Sequence, residues 1–300
     1  MSRSMTLSPQ GEPVLGWGLG IVSALPIPGA VAWPGPDAAT DITVIDGGVC
    51  APTPWPAIYR RADPWLEFAP AGVGRFRIRR DTVVVERHPQ AAPGLVSELL
   101  IATAIPALLW SRGLFMLHAA GLALMRHERC IAIAGPSGAG KSTLAHWFLQ
   151  HGAQLVGDDT LAVETIADTA LCRGLPGGVF LGSHDARRFE PLGDDQIATA
   201  RATPLAAIVV LAPGASLAMR RLARIEAFAA VMRNRHRPRV PELLGLQQAM
   251  LDAASALCRT APVYELQFDS NSHAPQEVAA LICSTFDREM GRDDPISAER

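Results

Sequence analysis

The nine residues Gly135-Pro136-Ser137-Gly138-Ala139-Gly140-Lys141-Ser142-Thr143 decide how this chain is read. They fit G-x-x-x-x-G-K-[ST], the phosphate-binding P-loop. Cys130-Ile131-Ala132-Ile133-Ala134 precedes the loop and reads as a short buried strand. Leu144-Ala145-His146-Trp147-Phe148-Leu149 follows it and reads as a helix. The motif works in that order of strand, loop and helix. The glycines let the backbone curl so that its N–H groups converge on phosphate oxygens. The helix N-terminus adds partial positive charge. Lys141 would reach the β- and γ-phosphates, and the Ser142 hydroxyl would ligate Mg²⁺.

Lys141 is the only lysine in the chain; every other Lys/Arg position is arginine. A compact ammonium fits inside a phosphate loop where a planar guanidinium does not. The remaining composition describes a globular chain. Of 300 residues, 49% are hydrophobic and 19% charged, enough for one large domain or two small ones. A formal net charge of −2 argues against general nucleic-acid binding. Cys50, Cys130, Cys172, Cys258 and Cys283 are scattered without a C-x-x-C pair, as expected of buried reduced thiols. Pro26, Pro28, Pro34 and Pro36 interrupt the uncharged N-terminal stretch, and Leu99 to Trp110 is too short to span a bilayer. The expectation is a cytoplasmic protein without a membrane segment.

Residues 1 to about 36 read as Pro- and Gly-rich and partly irregular. From 40 to 88 the strand candidates Ile42–Ile45, Trp65–Phe68, Gly74–Ile78 and Thr82–Glu86 predict a small antiparallel β unit. Arg75, Arg77, Arg79 and Arg80 read there as a solvated face. Leu95 to Trp110 predicts a helix kinked or ended by Pro106. A strand from Leu114 to His118 then leads into a hairpin, Ala119–Met125 with Cys130–Ala134, which feeds the P-loop. Beyond the loop helix come a strand ending at Asp158-Asp159, a hairpin around Ala167-Asp168, and strands at Gly178–Leu181, Ala207–Leu211, Leu217–Leu222 and Pro262–Phe268. Helices are predicted at Ile225–Met232, Pro241–Leu257 and Pro275–Met290, with a frayed tail from 291 to 300.

The acidic pair narrows the chemistry. The strand carrying Asp158-Asp159 should lie beside the P-loop strand, opening at the edge where phosphates sit. One carboxylate would hold Mg²⁺; the other would accept the proton of an attacking hydroxyl. His118 would orient or partly neutralise the pair. Arg233-Asn234-Arg235-His236-Arg237-Pro238-Arg239 reads either as a solvated loop or as an arm gripping the acceptor or the transferred phosphoryl group. Arg187 and Arg188 are a weaker version of the same pattern.

The segment from His118 to Asp159 resembles the catalytic domain of the HPr kinase/phosphorylase family. That family has a histidine before a hairpin, a G-x-S-G-x-G-K-S loop, a helix, a glycine, and a short strand ending in D-D. Here these are His118, Gly135 to Ser142, Gly152, and Leu155-Val156-Gly157-Asp158-Asp159. The chain departs from the pattern at Thr143, where the family has Glu, and at Arg173-Gly174-Leu175-Pro176, where an R-G-L-G element arrives early and ends in proline. The N-terminal β unit does not resemble the family's usual N-terminal domain. The whole chain looks more like divergent HPr kinase-like proteins, some of which resemble kinases of lasso-peptide precursors.

The resemblance implies an α/β fold of the HPr kinase and PEP carboxykinase-like type, a central mixed sheet with flanking helices; the small antiparallel β unit read from the strand pattern precedes it. The chain then divides into residues 1–92, a catalytic domain over 93–290 and the tail. It implies catalytic roles for Asp158, Asp159, His118 and Lys141, nucleotide binding by Gly135 through Thr143, metal contact by Ser142 and Asp158, and ATP and Mg²⁺ as cofactors. The acceptor would be the serine hydroxyl of a protein or peptide, with a homo-oligomer open. The residues alone also admit a small-molecule hydroxyl as acceptor, or an ATP-binding regulator that transfers nothing.

Overall fold

The computed structural model describes residues 12–33, 39–50, 59–124, 128–181, 188–198 and 201–290. The expected tail, Arg126, His127 and Arg187 lie outside them. The described chain is a mixed α/β structure built on two large sheets.

The first sheet has eight strands, ordered Val31–Ala32, Val14–Gly16, Leu19–Ser23, Ile42–Val49, Thr82–Arg87, Gly74–Ile78, Trp65–Phe68 and Tyr59–Ala62. It is mixed rather than antiparallel: Ile42–Val49 pairs in parallel with both Leu19–Ser23 and Thr82–Arg87. The expected unit was too small because its first hairpin was missed. Val14–Gly16 and Leu19–Ser23 join through Trp17-Gly18, both at positive φ (50° and 69°). Asn-Gly usually signals such a two-residue turn; tryptophan at φ > 0 does not. Tertiary contacts offset the strain: Trp17 is 1% exposed, its N–H donates to Gly174 O (2.7 Å) and its Nε1 donates to Thr160 O (3.3 Å). Trp17→Phe, which keeps the apolar body and removes the Nε1 donor, is expected to cost about 1–2 kcal/mol in urea denaturation.

Alternation shows which face of this sheet is buried. Along Gly74–Ile78, Phe76 and Ile78 point inward and Arg75 and Arg77 outward. Both arginines pair with Glu86 on the neighbouring strand, and Arg77 and Arg79 lie over the Trp65 ring. Of the arginines expected on a solvated face, Arg79 and Arg80 are exposed, while Arg75 and Arg77 are half-buried by these pairings.

The helical stretch Pro93–Ser111 packs between the two sheets. It is longer than the sequence suggested, 19 residues with a mean hydropathy of 1.6, and reaches the length of a membrane span. Its buried face, including Leu100, Ile101, Ile105 and Leu108, sits in the protein core. Five residues, Leu100–Ala104, widen into a π-turn just ahead of Pro106. Proline has no N–H for the carbonyl four residues back, which is Ala102. That released carbonyl is used at the candidate site.

The second sheet has nine strands. Its main path runs Gln154–Gly157, Ala119–Leu124, Arg129–Ala134, Thr203–Pro213, Thr169–Arg173, Leu161–Ile166 and Phe115–Leu117. Val263–Phe268 pairs beside Thr203–Pro213, and Ala218–Arg221 lies outside it. Ala119–Leu124 and Arg129–Ala134 form the expected antiparallel hairpin. Thr203–Pro213 runs parallel to Arg129–Ala134 and to Val263–Phe268, and its apolar run reflects burial on both faces. Along Arg129–Ala134 the side chains alternate between the two faces of the sheet. Ile131 and Ile133 face the P-loop helix Lys141–Gln150 and the helix Pro275–Met290. Ala132 and Ala134 face the opposite layer, where Met250, Ala254 and Leu257 of Gln247–Thr260 pack. The predicted helix Pro241–Leu257 is two helices, Arg239–Leu243 and Gln247–Thr260, because Gly245 adopts φ 71° and stops the first.

One expectation about strand order is corrected. Gln154–Gly157 pairs with Ala119–Leu124, not with the P-loop strand. The hairpin arm already occupies that edge, so the crossover through the P-loop helix lands one strand farther out. Two successive antiparallel pairings leave Gln154–Gly157 running in the same direction as Arg129–Ala134. Its carboxyl end therefore still opens at the P-loop edge.

Candidate active site

The P-loop follows from its glycines. Gly135, Gly138 and Gly140 have φ of 147°, 80° and 96°, which side-chain-bearing residues rarely adopt. Gly140 ends the loop as the N-cap of Lys141–Gln150, with no side-chain cap and no acidic residue in the first turn. The loop is folded on itself: Ala139 N donates to Pro136 O (3.2 Å), and Lys141 Nζ donates to Gly135 O (2.8 Å) and Pro136 O (3.1 Å).

Asp158 and Asp159 extend from the end of Gln154–Gly157, both half-buried. Asp159 has φ 66°, a left-handed conformation that aspartate tolerates better than most residues. Two glycines make room behind it: a Cβ on Gly174 would come 2.7 Å from Gly157 Cα. This is where Arg173-Gly174-Leu175-Pro176 falls. Arg173 pairs with Glu164 (2.9 Å), and Gly174 accepts the Trp17 N–H. The segment braces the back of the acidic pair.

His118 reaches the acidic pair, as expected. Its Nδ1–H donates to Asp159 O (2.9 Å) and lies 3.5 Å from Asp159 Oδ1; the two side chains are 31% and 19% exposed. His118 is held through its backbone by the arginine-rich segment. His118 N donates to Asn234 O (2.7 Å) and His236 N to Met116 O (2.8 Å), so residues 234–236 add onto the edge of Phe115–Leu117.

The structure gives part of that arginine segment a role that neither reading named. Arg237 Nε and Nη2 donate to Ala102 O (3.1 and 3.0 Å), the carbonyl freed by Pro106, and Nη2 also donates to Thr103 Oγ1 (2.7 Å). Arg237 is an anchor. Arg235 donates through Nη1 to Met232 O, in the last turn of Arg224–Arg233. Arg233 and Arg239 are exposed.

His236 is the site residue that sequence reading missed, since it was submerged in the arginine cluster. It is 6% exposed; its Nε2–H donates to Ala102 O (2.9 Å), and Trp110 Nε1 donates to its carbonyl (2.8 Å). Its Nδ1 is 3.5 Å from Thr160 Oγ1, and its ring centroid is 5.9 Å from that of His118. Burial first, and the Arg237 charge second, push its pKa down to about 4. An unfolded histidine titrates near 6.5. Above that pH both states are neutral. From about 6.5 down to about 4 only the unfolded state takes the proton, so this residue removes stability as pH falls, at about 1.4 kcal/mol per pH unit. Replacing His236 with Gln, which can keep the donor to Ala102, is expected to flatten the stability profile over that window in denaturation curves at stepped pH.

His118, Asp158, Asp159, the loop residues Gly135 to Gly138 and Gly140 to Thr143, and Arg233 to Pro238 line one open cleft of about 770 Å³. Ser142 and the aspartates bring hydroxyl and carboxylate oxygens to this one cleft, a donor set suited to Mg²⁺. His118, Asp159 and His236 also place one potential ligand atom each within 4.8 Å of one another.

The chain matches no protein-family profile and no curated protein sequence. Among solved structures it is similar to the HPr(Ser) kinase/phosphatase from Coxiella burnetii. The identity is 15%, over 62% of this chain and 99% of that one, with a TM-score of 0.40. This is a distant likeness of fold.

The five cysteines are all free and none lines this cleft. The groups the cleft offers are one ammonium, two carboxylates, two imidazoles, the guanidinium groups of Arg233, Arg235 and Arg237, the hydroxyls of Ser137, Ser142 and Thr143, and the loop amides.

Proposed function

We propose that this chain is an ATP- and Mg²⁺-dependent kinase that transfers a phosphoryl group to a hydroxyl, most simply a serine of a protein or peptide. The observation that carries this reading is the convergence of the P-loop, the acidic pair and His118 on one cleft. A loop that only bound nucleotide would not need two carboxylates beside it.

The residues divide the work. Amides of Gly138 to Ser142 at the uncapped helix start face the phosphates. Lys141 Nζ exchanges its two loop carbonyls for phosphate oxygens, and its charge then stabilises the transferring group. Mg²⁺, held by Ser142 and Asp158, would neutralise charge on the phosphates. Asp159 takes the proton of the acceptor hydroxyl as the new O–P bond forms and the bond to the ADP oxygen breaks. His118 keeps its Nδ1–H on the Asp159 carbonyl and so holds that residue's left-handed turn. The domain division at residues 92/93, a homo-oligomer and a cytoplasmic location complete the proposal. Incubating purified chain with ATP, Mg²⁺ and serine-bearing peptides tests it; absence of any phosphate transfer by the wild type would refute it.

A further inference from the structure

The tip of the first hairpin, Trp17-Gly18, sits against the turn that presents the acidic pair. We propose that Trp17 is a positioning residue for Asp159. Its indole N–H holds a strained turn in place and so makes the N-terminal sheet part of the transfer site. The proposal rests on the kinase reading and deepens it, since no described residue before His118 lines the cleft itself.

The turn is the first argument. Thr160 N donates to Asp158 O (2.8 Å) around Asp159, whose φ is 66°. A hydrogen bond from one residue to the second before it, across a positive φ, makes a γ-turn of the rare and strained form. Such a backbone persists only where its surroundings over-determine it. Here each carbonyl of the turn accepts from a fixed donor: Asp158 O from Thr160 N, Asp159 O from His118 Nδ1–H (2.9 Å), and Thr160 O from Trp17 Nε1–H (3.3 Å). His118 already belongs to the cleft. Trp17 is the support that comes from outside it.

The donor is itself locked. Trp17 is buried at φ 50°, and its backbone N donates to Gly174 O (2.7 Å). Arg201 Nε donates to Gly18 O (3.2 Å), and a Cβ on Gly18 would run into Arg201 O. Thr160, Gly174 and Arg201 thus grip the hairpin tip from the far side of the chain. Two strained turns, one on each sheet, hold each other through one buried hydrogen bond. Without the Nε1–H, Thr160 O loses its buried donor and the γ-turn can relax. The Asp159 carboxylate then moves off the acceptor hydroxyl. A misplacement of about 1 Å at a reacting group can cost about 10²-fold in rate.

The test removes only the donor. Benzothienylalanine, introduced site-specifically in place of Trp17, puts sulfur where the indole N–H stands and keeps the shape of the ring. Trp17→Phe is its encoded counterpart, and melting curves report whether each variant is folded. Hydrogen exchange at the Thr160 amide, which closes the γ-turn, should quicken at least about tenfold, while amides of Lys141–Gln150 hold within about twofold. With ATP, Mg²⁺ and a serine peptide, kcat should fall at least about tenfold, with ATP affinity and peptide KM within about threefold of wild type. In an Asp159→Asn background the same replacement should lower kcat less than about twofold, because its effect passes through the Asp159 carboxylate. Unchanged Thr160 exchange in the folded variants would overturn the clamp whatever their activity. Unchanged kcat, or an equal loss in the Asp159→Asn background, would overturn the positioning role. A wild type that transfers no phosphate would remove the kinase reading, and the Thr160 exchange would then decide the clamp by itself.

Discussion

Lys141→Ala is expected to reduce phosphoryl transfer by about three orders of magnitude or more, with no loss of folded structure. Lys141 contributes the one ammonium in the chain, and it lines the cleft at the foot of an uncapped helix. Its Nζ rests on Gly135 O and Pro136 O, so the ammonium is already held by the loop backbone. Lys141→Arg is expected to fail almost as badly. A guanidinium is planar and wider and cannot take the place of a compact ammonium on the Gly135 and Pro136 carbonyls. The measurement is the transfer rate with ATP and a serine peptide, beside circular dichroism for the fold. Transfer by Lys141→Arg at the wild-type rate would show that the cleft does not use this loop as a phosphate cradle.

Asp159→Asn is expected to lower transfer about 10²- to 10⁴-fold while leaving ATP affinity within a few-fold of wild type. Asparagine is nearly isosteric and tolerates the left-handed backbone at φ 66°, so the change removes the proton acceptor and little else. Asp159→Ala mixes the loss of the carboxylate with backbone strain and with disturbance of the His118 contact; it should also melt earlier. Binding and turnover are measured separately, by calorimetry and by a single-turnover rate. A large loss of ATP affinity in Asp159→Asn with an unchanged rate at saturation would reassign the residue from base to nucleotide contact.

Much of this site was legible in the chain. The P-loop, the acidic pair and His118 were each named from local pattern, and the structure brings all three to one cleft. The turn at Ala167-Asp168 was also read correctly, both residues having positive φ. Other features were not legible. Trp17-Gly18 does not look like a hairpin turn, because its strain is offset by Thr160 and Gly174, far along the chain. His236 looked like one more polar residue among arginines. Its partner is a carbonyl released by a proline in another helix, 134 residues away. The neighbour of the P-loop strand was misplaced because the rule that consecutive strands pair takes no account of a hairpin arm already holding that edge.

The division follows the range of the interactions. The sequence alone determined the loop, the strand before it and the helix after it. Glycine spacing, an apolar run and a helical pattern act through residues a few positions apart. Only the tertiary structure decided which wall faces the loop, which arginine is an anchor, and which histidine is buried neutral. Those outcomes depend on desolvation and on hydrogen-bond partners, such as Trp17 with Thr160 across 143 residues, that no local pattern encodes.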